Sequence, residues 1–341
     1  MILISNHLLT LPEFQNVNDV VIRINMAHVK NMTELKKFVS RDYDVFLDYP
    51  KGRTKPPVPS LSLTDAINFT QKYSNIKYFA TSNIEEVAEV NLICEMLPDG
   101  VSFVPKKQTQ PNTKIVYLHG GGYCIGSSLT THRIGLRNLA KITGSICHSI
   151  DYRLAPENPH PAALDDALAA WLDIAEKNPE STLILSGDSA GGGLSLALMM
   201  CLRDEGHKLP DGAVLFSPWT NLTCDSETYL TLAKADPMLS PRMAITCADF
   251  YASSFSEKND PYISPIFGDF KDLPRTLILV GGQEILLDDS RIVGEHAKTA
   301  GANFEIDIWP NMFHDWWLFG SLIPESKQCL VKVADWIHSR Q

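Results

Sequence analysis

The chain has 341 residues, 44% of them hydrophobic and 21% charged, with a formal charge of −10. That is an ordinary globular composition, long enough for one large domain or a domain carrying a cap. The negative balance, with no basic stripe to offset it, argues against nucleic acid as a partner.

No apolar run nears the ~20 residues that cross a bilayer, so no stable membrane insertion is expected. Seven scattered cysteines without a C-x-x-C fit buried free thiols in a reducing compartment, and a cytoplasmic location follows as the expectation. Residues 1–84 are expected to form an N-terminal cap segment. They show helical patterning over 31–39 and 63–73, with a Pro-restricted loop at 48–59 between.

From 85 to 341 the pattern alternates. Strands are predicted over 88–96, 100–104 and 114–118, then a helix over 131–142 and a strand over 145–150. A Pro-rich loop, 151–161, leads to a helix over 162–177 and a strand over 181–186. Residues 194–202 are good helix formers, and 213–219 make another strand. The alternation lapses over 221–265, which predicts a helical insertion. It resumes with strands at 276–282 and 304–309 and helices at 288–300 and 324–339. Strands alternating with helices predict an α/β fold, a doubly wound, mainly parallel sheet.

Reactive groups in such a sheet collect at the carboxyl ends of its strands. Gly187-Asp188-Ser189-Ala190-Gly191-Gly192 lies at a predicted strand-to-helix switch, where a Ser between glycines forms a nucleophile elbow. The glycines let strand and helix approach closely, and the helix dipole favours negative charge beside Ser189. At the end of an earlier strand, Gly120-Gly121-Gly122 can turn bare N–H groups toward a substrate oxygen. The N–H groups of Gly121, Gly122 and Ala190 are the expected oxyanion hole.

A base should follow a late strand, and His314 does. His119 belongs to the Gly loop, His160 to the Pro-rich loop and His338 to the last helix. His7, His28, His132, His148, His207 and His296 lack a strand-end position next to the elbow. The acid that orients the imidazole is sought after the strand at 276–282. Glu284 comes first there and points most directly at the elbow, with Asp288 the alternative. Asp288 and Asp289 otherwise read as the cap and first turn of the next helix. Cys124 reads as a small apolar residue beside the Gly loop rather than a second nucleophile.

His119-Gly120-Gly121-Gly122, Tyr152-Arg153-Leu154-Ala155-Pro156-Glu157, the elbow hexapeptide and the Phe313-His314 loop together resemble the hormone-sensitive-lipase-like branch of the α/β-hydrolases. The resemblance runs from about residue 85 to the C-terminus. It implies the α/β-hydrolase fold with a helical cap, and a serine carboxylesterase acting on short- to medium-chain esters through an acyl-enzyme. It implies no metal or cofactor, and roles in support of the elbow and loop for Asp188 and Glu157. The sequence has Glu284 where the branch most often has Asp, a residue of the same role in this fold.

Three alternatives stay open. One is a catalytically silent small-molecule binder, and another is a deacetylase or amidase. The third is an interfacial lipase, for which Trp316, Trp317, Leu318 and Phe319 would form an exposed patch; the competing expectation is that they pack the cap against the core. Pairing into a homodimer through a sheet edge or the last helix is also left open.

Overall fold

A computed structural model of the protein describes residues 90–97, 100–129, 131–252, 254 and 256–339. The expected cap segment 1–84, with its two helical stretches and Pro-restricted loop, lies outside them. Eight strands form one sheet in the order β1-β2-β4-β3-β5-β6-β7-β8. They are β1 (Val90–Leu97), β2 (Gly100–Pro105), β3 (Thr113–Leu118), β4 (Ile146–Ile150), β5 (Thr182–Asp188), β6 (Gly212–Phe216), β7 (Thr276–Gly281) and β8 (Phe304–Trp309). β2 runs antiparallel to both β1 and β4, and every other pairing is parallel.

The sheet divides the core into two layers because strand side chains alternate. Val116 and Leu118 of β3, Leu183 and Leu185 of β5, and Leu215 of β6 face one layer. Their neighbours Ile115, Tyr117, Ile184, Val214 and Phe216 face the other. Seven helices are described: α1 (Arg133–Thr143), α2 (Ala162–Lys177), α3 (Ser189–Asp204), α4 (Thr228–Thr231), α5 (Pro241–Tyr251), α6 (Leu287–Thr299) and α7 (Pro324–His338). The first layer is closed by α2, α3 and α6 through Trp171, Leu198 and Val293. The second is closed by α1 and α7 through Leu139 and Val333.

Local chemistry sets the helix ends. Gly144 ends α1 in a left-handed C-cap with φ +66. In α2, Asp165 in the first turn and Lys177 in the last complement the helix dipole.

The predicted insertion, 221–265, holds α4 and α5. Helix α5 starts where Ser240 Oγ accepts from the Met243 N–H at 3.2 Å, with Pro241 at its first position. Tyr251 at its end stacks on Tyr123 of the Gly loop, ring centroids 3.8 Å apart. Among the described residues, no helix is long and apolar enough to cross a membrane.

Trp316, Trp317, Leu318 and Phe319 form no exposed patch. They are buried in the second layer, where Trp317 stacks on Phe216 and lies against Tyr117. Met238 of the insertion packs against the same cluster, so these four residues join the insertion to the core.

Candidate active site

The elbow is built from β5, a sharp turn and α3. Ser189 has φ +52, a left-handed conformation uncommon outside glycine. Its carbonyl accepts from the Trp219 N–H at 2.8 Å. Glycine is required on either side, because a Cβ on Gly187 would lie 2.4 Å from the Gly191 carbonyl oxygen and one on Gly191 would lie 2.0 Å from that of Leu118. The strain is held by packing on all sides.

His314 lies across from this turn. Its Nε2 is 2.9 Å from Ser189 Oγ, and its Nδ1 is 2.7 Å from Glu284 Oε2. The other carboxylate oxygen, Glu284 Oε1, accepts from Ser217 Oγ at 2.7 Å and from the Gly281 N–H, so both oxygens of this fully buried acid are occupied. Of the two carboxylates weighed for this place, Glu284 is the one at the imidazole. Asp288 instead accepts from the Thr228 N–H at 3.1 Å. Asp289 accepts from the N–H groups of Thr220 and Asn221, each at 2.8 Å. Leu286 rather than either aspartate is the helix cap, and both carboxylates lie in the first turn as expected, Asp289 tying α6 to the loop after β6 and Asp288 tying it to the start of α4.

The titratable groups here are strongly perturbed. Burial alone would lower His314, but the carboxylates of Asp315, Glu284 and Asp236 outweigh it and raise the imidazole to about 9. Asp236 is pushed up to about 6 by burial, partly offset by His314. This aspartate, on the insertion, accepts from the Ile285 N–H at 2.9 Å through Oδ2 and from the Met238 and Leu239 N–H groups through Oδ1. It thus fastens the insertion to the acid-bearing loop.

The Gly loop is braced from below. Asp188 Oδ1 accepts from the Tyr117 hydroxyl at 2.6 Å and from the Gly120 N–H at 2.8 Å. Tyr152 donates its hydroxyl to the His119 carbonyl at 2.6 Å. Asp188 thus supports the elbow as the resemblance implied, whereas Glu157 is solvent-exposed.

His132 corrects the expectation that it sits away from the elbow. Its Nε2 lies 3.0 Å from Asp188 Oδ2 and 3.3 Å from the Gly120 nitrogen. The loop after β3 folds back before α1 begins and carries it there. Sequence reasoning also passed over Asp236, Ser217 and Asp315. The only available signal was the adjacency of Asp315 to His314.

A cavity opens above Ser189. Gly121, Gly122 and His314 line its floor, and Trp219, Met238, Leu239, Met243, Ala244, Cys247 and Leu286 form apolar walls. Cys124 is buried beside it, its thiol pushed well up by burial, in keeping with a packing role.

An alpha/beta hydrolase fold family matches residues 115–318. An acetyl-hydrolase of Streptomyces hygroscopicus is 36% identical over 222 residues, 65% of this chain and 74% of its own length. An esterase of Acinetobacter venetianus is 36% identical over 237 residues, 69% and 77% of the two chains. Among solved structures, a hormone-sensitive lipase from a metagenome library superposes with a TM-score of 0.77 at 29% identity, covering 91% of this chain and 99% of that one. The esterase EstE5, soaked with p-nitrophenyl butyrate, superposes with a TM-score of 0.75 at 31% identity, covering 90% and 97%. The chain belongs to the α/β-hydrolase fold family. Within that family it stands in the hormone-sensitive-lipase-like branch, and it is a carboxylic ester hydrolase.

Proposed function

We propose that the protein hydrolyses short- to medium-chain carboxylic esters through a Ser189–His314–Glu284 triad. The observation that carries this reading is the unbroken line from Glu284 through His314 to Ser189 Oγ, with contacts of 2.7 and 2.9 Å. His314 Nε2 takes the Ser189 proton as Oγ attacks the ester carbonyl carbon. The carbonyl oxygen, now negative, is held by the N–H groups of Gly121, Gly122 and Ala190. His314 returns the proton to the departing alkoxide, leaving Ser189 acylated. Water, deprotonated by His314, then attacks the acyl carbon and releases the acid.

The insertion acts as a cap over the cavity, to which it contributes Met238, Leu239, Met243, Ala244 and Cys247. The apolar walls of the cavity and the burial of Trp316–Phe319 favour small esters over a lipid interface. The buried free thiols of Cys124, Cys147, Cys201, Cys247 and Cys329 support a cytoplasmic location.

A panel of p-nitrophenyl esters from acetyl to palmitoyl, with an anilide control, tests the reading. Turnover should peak at the short esters and be slight on the anilide. Ser189→Ala should lower kcat by about five to six orders of magnitude. A radiolabelled organophosphate should mark wild type but not the variant. Ordinary turnover by Ser189→Ala would overturn the proposal, and a wild type that is neither labelled nor active on any ester would favour the silent binder.

A further inference from the structure

Glu284 is not the only carboxylate on the imidazole. Asp315 follows His314 directly, is fully buried, and holds Oδ2 3.3 Å from His314 Nε2, the nitrogen that faces Ser189. Its backbone has φ +56, a left-handed conformation that aspartate tolerates better than most non-glycine residues. A fully buried carboxyl group thus stands directly beside the reacting nitrogen.

The direction of the effect follows from simple electrostatics. A carboxylate oxygen beside Nε2 repels that nitrogen's lone pair in the neutral ring and attracts its N–H in the imidazolium. Glu284 stays on the far nitrogen in both states. We infer that Asp315 is a positioning residue for the reaction: it stabilises protonated His314 from the Ser189 side, and so sets the pH above which the base is ready. This rests on the reading of His314 as the base.

The groups that face the imidazole are Ser189 at the elbow, Glu284 after β7, Asp236 on the insertion and Asp315 itself. Tyr117 on β3 also senses Asp315, and burial keeps its hydroxyl protonated. Burial lowers His314, and Asp315, Glu284 and Asp236 each raise it. A stronger base is also a weaker acid. Asp315 therefore helps acylation by esters with good leaving groups more than it helps expulsion of a poor one.

The test is the pH dependence of kcat/KM for p-nitrophenyl acetate, from about pH 5 to about 10, in the full chain with Asp315 intact and as Asp315→Asn. The acidic limb of the variant should move down by about one pH unit or more, the size expected for a charge this close. At a pH below both limbs it should outpace wild type by about tenfold for each unit of movement. A limb that stays in place while the rate drops equally at every pH would overturn the inference and make Asp315 a packing residue.

If Asp315→Asn does not fold, NMR titration of His314 in the Glu284→Gln, Asp236→Asn double variant replaces it. Titration still above the ordinary histidine range supports the inference, and titration within that range overturns it. Failure of the triad reading looks different: Ser189→Ala would keep its turnover, while the NMR titration would still report on Asp315.

Discussion

The elbow and the insertion meet at one cavity but are built on opposite terms. At the elbow, the atoms that forbid change are backbone: a Cβ on Gly191 would strike the Leu118 carbonyl at 2.0 Å. Across the cavity, Met238, Leu239, Met243, Ala244 and Cys247 present side chains. Their backbone is fixed from elsewhere, by the Ser240 cap, the Tyr251 stack and the Asp236 hydrogen bonds. Chemistry is thus held by main-chain approach that tolerates no substitution. The space offered to a substrate is held by side chains that can be exchanged one at a time.

The contrast breaks hardest at Gly191→Ala. Forcing a methyl against a carbonyl in a packed turn costs about 1–3 kcal/mol or more. Tm should fall by about 5 °C or more in a thermal melt, with turnover lost. A variant that melts and turns over like wild type would show that the elbow has slack.

Glu284→Gln leaves the shape of the site intact but removes the charge that orients His314. Its kcat should drop by about 10⁴-fold with KM little changed. Met243→Ala probes the other side. Enlarging the wall should leave kcat for the acetyl ester within a few-fold and shift the preference toward longer acyl chains by about tenfold in relative kcat/KM.

The last effect falls on stability and leaves the chemistry aside. Burial pushes Asp289 up to about 8, despite the N–H groups of Thr220 and Asn221 that favour its charged form. An unfolded aspartate titrates near 3.9. Between these values the folded chain holds a proton that the unfolded chain lacks, so stability falls as pH rises from about 4 to about 8. Asp289→Asn keeps an oxygen for both N–H donors and removes the titration. The plot of Tm against pH should flatten over that window.

Much of the framework could be read before any coordinates, for identifiable reasons. Residues 162–177 are apolar on one face, follow Pro161 and contain no Gly or Pro, and the helix occupies those residues. The strand at 304–309 likewise matches its prediction. The predicted strand at 213–219 overran, because Ser217 turns to φ +43 and ends it at Phe216.

Ser189, Glu284 and His314 were legible because a parallel sheet delivers strand ends to one rim, and their order along the chain leaves few other choices. Asp236 and His132 were not. Each reaches the site by a loop folding back, Asp236 from the insertion and His132 from beyond the Gly loop, and no periodicity marks such a return. The burial of Trp316–Phe319 was legible from their size and apolarity, whereas the layer they enter was not, in a loop with no repeat.

The burial of those four residues has a bearing on durability. His314 sits between Phe313 and the run beginning at Trp316, all embedded in the second layer. Freeing the imidazole from its place therefore means drawing several large rings out of the interior, an excursion on the scale of global opening rather than of loop fraying. Heat should abolish activity and melt the protein at the same temperature, with no earlier loss confined to His314.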